Sequence, residues 1–97
     1  MTLRDPALTD KPVAIVTGAS SGIGAAIALR LAGACGGLVL HARKSRDGLE
    51  SIATRVRAQG TRTALVLGDL TDPAIGEELV AQAGRSFERL DWVVANA

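Results

Sequence analysis

The chain has 97 residues, enough for one small domain with a core. Its composition, 47% hydrophobic and 22% charged, argues against disorder, and a formal net charge of +1 advertises no broad surface for nucleic acid. One cysteine, Cys35, excludes an intrachain disulfide and suits a reducing compartment, and no uncharged run reaches transmembrane length, so a cytoplasmic protein without membrane segments is expected.

Residues 1–12, MTLRDPALTDKP, mix two prolines with Arg4, Asp5, Asp10 and Lys11 and read as a flexible leader. Residues 13–17 are apolar, as a strand covered on both faces should be. The helix that follows sets Ile23, Ile27 and Leu31 along one face, with Ala26 and Ala28 small enough for close packing on a sheet. Gly33, Gly36 and Gly37 offer stop positions, and Leu38, Val39 and Leu40 form a second strand ending near His41. After the basic run HARKSRD, Asp47 is expected to cap a second helix in which Leu49, Ile52, Ala53 and Val56 recur at the helical interval until Gly60. Residues 63–68 read as a third strand, followed by the loop Asp69-Leu70-Thr71. Asp72 before Pro73 starts a third helix with Ile75, Leu79, Val80, Ala83 and Phe87 on its buried face, and residues 91–95 make a fourth strand. Strands alternating with helices of this length imply right-handed crossovers, hence an α/β, Rossmann-like doubly wound parallel sheet over residues 13–97, cut off after its fourth strand.

The chemistry is expected beyond the C-terminal ends of those strands. At the first end lies TGASSGIG, residues 17–24, between a strand and a helix. A helix start leaves N–H groups without partners and its dipole favours negative charge, so this turn reads as a phosphate cradle. Gly18 permits the sharp exit, Gly22 and Gly24 remove side chains where a pyrophosphate or the strand behind must approach, and Ser20 and Ser21 add hydroxyls. Glycines alone would equally serve a plain turn. The spacing Gly-x-x-x-Gly-x-Gly, with the preceding threonine, resembles the short-chain dehydrogenase/reductase family and differs from the Gly-x-Gly-x-x-Gly of most other dinucleotide folds and from a flavodoxin-like mononucleotide site. The resemblance implies that residues 18 and 20–24, Ile23 among them, lie against the cofactor.

At the second end, where NAD-binding folds place an acid about 20 residues past the glycines, stand Arg43, Lys44 and Ser45. A guanidinium forks onto the extra phosphate of NADP, a lysine adds charge and a serine one hydrogen bond, so NADP(H) is expected over NAD(H). The alternative is an ordinary solvated loop, and Asp47 is an acid nearby whose oxygen the cap would occupy. At the third end, Asp69 and Leu70 resemble the family's pair that meets the adenine. At the fourth, Ala95-Asn96-Ala97 resembles Asn-Asn-Ala-Gly beside the adenosine ribose, with Asn96 matching and Ala95 departing from the pattern. His41 has no partners at metal-ligand spacing, Cys35 reads as an inert thiol, Trp92 as packed against a helix, and Arg55, Arg57, Glu77 and Glu78 as solvated helix faces.

The family's hydride transfer uses a serine and a Tyr-x-x-x-Lys pair, and this sequence has no tyrosine. The resemblance therefore implies an NADP(H)-dependent oxidoreductase acting on a small carbonyl or alcohol, a homo-oligomer at full length, of which these residues are a fragment that holds the cofactor and no catalytic group. The alternative is a non-catalytic NADP(H) sensor or scaffold.

Overall fold

The computed structural model describes residues 10–96. Most of the expected leader, and Ala97, lie outside them. Four strands, β1 (Val13–Val16), β2 (Gly37–Ala42), β3 (Arg62–Leu67) and β4 (Trp92–Val94), alternate with three helices, α1 (Gly22–Leu31), α2 (Arg46–Ala58) and α3 (Pro73–Phe87). The strands form one parallel sheet in the order β3-β2-β1-β4. β1 and β2 are central and buried along their whole length, which explains why their sequences are apolar except at His41.

Side chains alternate between two cores. Ala14, Val16, Leu38, Leu40 and Ala42 meet α1 and α2 on one face, the latter through Leu49, Ile52, Ala53 and Val56. Val13, Ile15, Val39 and Val66 meet Leu79, Ala83 and Phe87 of α3 on the other. The Phe87 ring packs on Gly37, where a Cβ would stand 2.6 Å from it.

Two helix faces differ from the sequence expectation. α1 buries Gly24, Ala25 and Ala28, not the Ile23-Ile27-Leu31 stripe. Ile23 is 72% exposed, Ala26 is exposed, and Ile27 and Leu31 only flank the core. The start of α1 lies against the turn before it, so close that a Cβ on Gly24 would strike the Gly18 carbonyl. On α3, Leu79, Ala83 and Phe87 are buried and Ile75 partly so, while Val80 is exposed. Trp92 is about half exposed on the edge strand β4, at 49%, and does not pack beneath a helix.

Candidate functional site

Because the strands are parallel, their C-terminal ends and the loops leaving them share one side of the sheet. β1 exits into a turn in which Gly18 and Gly22 have φ of +61° and +60°, a region that carries little penalty only for glycine. A Cβ on Gly22 would meet nothing within 4 Å, so the space over the head of α1 is open. A Cβ on Gly24 would strike the Gly18 carbonyl and stand 2.7 Å from Asn96 Nδ2. Ser21 occupies the N-cap position of α1, yet its side chain makes no capping bond and the first turn holds no acid. Open space, uncapped amides and a positive helix end together suit an anion such as a pyrophosphate. Ser20 is half-buried in this turn, and Ser21 and Ile23 are exposed at its mouth.

The turn is held from both sides. Towards β4, Thr17 N–H donates to the Val94 carbonyl at 3.0 Å, Asn96 N–H donates to Thr17 Oγ1 at 2.9 Å, and Asn96 Nδ2 reaches the Gly18 carbonyl at 3.5 Å. Towards β2, Ala19 N–H donates to the His41 carbonyl at 2.7 Å, and Gly18 N–H donates to His41 Nδ1 at 3.2 Å. The other ring nitrogen, Nε2, lies 2.8 Å from the Gly68 carbonyl. An Nδ1 that accepts leaves the proton on Nε2, so the ring is the neutral tautomer that donates to Gly68. His41 is 1% exposed, and among the described residues no group of histidine, cysteine and acid side chains is assembled for a metal. The sequence reading gave this histidine no part in the site. The signal available was a lone polar ring within a strand buried on both faces, which must find partners for both nitrogens.

Between the ends of β2 and β3 lies an open cleft of about 470 Å³ lined by His41, Arg43, Asp69, Leu70 and Thr71. Arg43 reaches across it to Asp69, with Nη2 3.4 Å from Oδ2. Asp69 Oδ1 accepts from both the N–H and the hydroxyl of Thr71, each at 2.9 Å. These bonds from Thr71, with the charges of Arg43 and Lys44, hold the Asp69 carboxyl below the usual carboxylate range. Leu70, 38% exposed, gives the cleft an apolar wall, and Lys44 is exposed on the loop after β2.

Ser45, not Asp47, caps α2: its Oγ accepts from Gly48 N–H at 3.2 Å. Asp47 sits inside the first helical turn and is exposed, because the chain becomes helical two residues earlier than the acid would require. A Cβ on Gly48 would stand 2.7 Å from Ser45 Oγ and 3.2 Å from the Ser20 carbonyl, so the basic loop rests against the glycine turn. The fold thus gathers the glycine turn, Arg43-Lys44-Ser45, Asp69-Leu70 and Asn96 at one sheet edge. Cys35 lies at the opposite end of β2, buried, and burial followed by the charge of Asp91 pushes its thiol up, away from the reactive thiolate. Arg55, Arg57 and Glu77 are exposed as expected, whereas Glu78 is half-buried and pairs with Arg85 at 2.6 Å. No helix among the described residues is long and apolar enough to cross a membrane.

Known proteins resemble this chain in sequence and fold. The chain is 42% identical over 87 residues to an uncharacterised oxidoreductase of Mycobacterium tuberculosis, covering 90% of this chain and 33% of that protein. It is 39% identical over 88 residues to versicolorin reductase 1 of Aspergillus parasiticus, covering 91% and 34%. The crystal structure of acetoin dehydrogenase from Enterobacter cloacae superposes with a TM-score of 0.79 at 33% identity, over 90% of this chain and 34% of that one. The chain therefore spans about a third of the length of the curated relatives it matches. Residues 12–97 match the family model for short chain dehydrogenases, and the chain belongs to the short-chain dehydrogenase/reductase family.

Proposed function

We propose that the protein is an NADP(H)-dependent oxidoreductase that reduces a small carbonyl or oxidises an alcohol, and that residues 13–97 are the part of its Rossmann domain that holds the cofactor. The bound nicotinamide would supply or take up the hydride. The observation that carries the NADP preference is Arg43 at the rim of the cleft, followed by Lys44 and without an acid at that end of β2. A planar guanidinium suits a 2′-phosphate, whereas a carboxylate there would favour the bare ribose of NAD. The Arg43–Asp69 pair is exposed, so opening it for a phosphate costs little. In this reading the pyrophosphate lies over Gly18, Ser20, Ser21, Gly22, Ile23 and Gly24. Asp69 and Leu70 flank the adenine, Ser45 retains a hydroxyl proton to donate, and Asn96 supports the ribose segment. Cytoplasmic location and assembly into a homo-oligomer belong to the same proposal.

The 97 residues contain no tyrosine, so the proton-transferring Tyr-x-x-x-Lys pair would be contributed by sequence outside them, and residues 1–97 alone would bind cofactor without turning over substrate. The missing tyrosine also sustains the second reading, a non-catalytic NADP(H) sensor or scaffold. A full coding sequence with Tyr-x-x-x-Lys preceded by a serine supports the enzyme, and its absence supports the sensor. Fluorescence titration of the full-length protein tests the cofactor: NADPH should bind about tenfold or more tighter than NADH, with Arg43→Ala narrowing the gap. Equal affinities in the wild type would overturn the assignment.

A further inference from the structure

We propose that His41 is a positioning residue for the dinucleotide, its neutral ring tying the glycine turn after β1 to the loop after β3. This rests on the cofactor reading above. The two ring nitrogens face opposite ways across a rigid plane, Nδ1 accepting from Gly18 N–H at 3.2 Å and Nε2 donating to the Gly68 carbonyl at 2.8 Å. Gly18 is where the turn takes up its left-handed conformation, and Gly68 directly precedes Asp69. One side chain therefore sets the separation of the segments proposed to receive the pyrophosphate and the adenine.

Only the neutral tautomer with hydrogen on Nε2 serves both partners. Protonation places an N–H on Nδ1 against the N–H of Gly18, and with the ring 1% exposed, water is poorly placed to take over the lost bond. The turn must then shift, and a ligand that needs it in place binds the cationic form more weakly. Arg43 and Asp69 line the cleft beside the ring, with Lys44 on the loop after β2 and Asp72 at the head of α3; Thr17 and Gly18 on the β1 side carry no charge.

The test measures NADPH affinity of the full-length protein at neutral pH. His41→Asn keeps an acceptor near the place of Nδ1 and loses the donor to Gly68; His41→Phe keeps a planar ring and loses both bonds. Both variants should bind NADPH more weakly than wild type, the Phe variant by about tenfold or more and the Asn variant by less. Wild-type affinity in both variants would overturn the His41 assignment alone, and absence of nucleotide binding by the wild type would overturn the cofactor reading and this inference together. A second measurement needs no nucleotide and no variant. Imidazole nitrogen resonances should show Nδ1 bare and Nε2 protonated at neutral pH, and a proton on Nδ1 would overturn the proposal.

Discussion

Gly22 and Gly24 belong to one short motif, yet an added methyl group meets a different world at each. On Gly24 it runs into the Gly18 carbonyl, where backbone faces backbone and nothing flexible can give. Gly24→Ala should therefore lower stability by about 1–3 kcal/mol in urea unfolding and abolish nucleotide binding. On Gly22 the methyl meets nothing within 4 Å, so Gly22→Ala carries only the strain of a φ of +60°, about 1–2 kcal/mol. Its effect on affinity should depend on how closely the phosphate approaches. The spacing of the motif revealed that these glycines matter, but not that one serves conformation and open space while the other serves contact within the protein. That difference depends on how α1 leans on the turn, a tertiary fact.

At the scale of elements, helix starts were legible where the capping residue and the following proline adjoin, as at Asp72-Pro73, whose carboxylate accepts from Ala74 N–H at 3.0 Å. They were less legible where two capping types compete, as at Ser45 and Asp47. Ser45→Ala should cost about 1 kcal/mol of stability, since it removes the bond to Gly48 N–H. Asp47→Ala should cost about 0.5 kcal/mol, the loss of a favourable charge in the first turn of α2. Equilibrium denaturation of the two variants orders them, and the reverse order would return the cap to Asp47. Helix faces followed the same logic. On α2 the periodic apolar residues are the buried ones, whereas on α1 Gly24, Ala25 and Ala28 are buried in place of the periodic isoleucines, and the start of that helix lies against the Gly18 carbonyl.

For the whole molecule, the alternation of apolar strands and amphipathic helices was enough to read a parallel sheet covered on both faces. The order β3-β2-β1-β4 and the contacts of His41 were not readable, because both are fixed by partners far along the chain. Asp91 is another such link: its Oδ2 accepts from Val13 N–H at 2.8 Å while Arg89 holds both carboxylate oxygens, at 2.8 and 2.7 Å. The Arg89 guanidinium first, and Val13 N–H second, keep this carboxyl below the usual range. A depressed carboxyl stabilises the fold above its unfolded-state value near pH 4, and that contribution fades as pH falls through the lower folded value. Asp91→Asn should accordingly melt below wild type at neutral pH, with the gap closing below about pH 4 in thermal unfolding series.

The bond from Asn96 N–H to Thr17 Oγ1 joins residues 79 positions apart. During synthesis this means that a turn spelled out within the first quarter of these residues gains its support on the β4 side only after Asn96 has emerged and β4 has docked beside β1. Before then the nascent turn has only its β2-side tether. The glycine turn is thus secured on both sides only once β4 has joined the sheet.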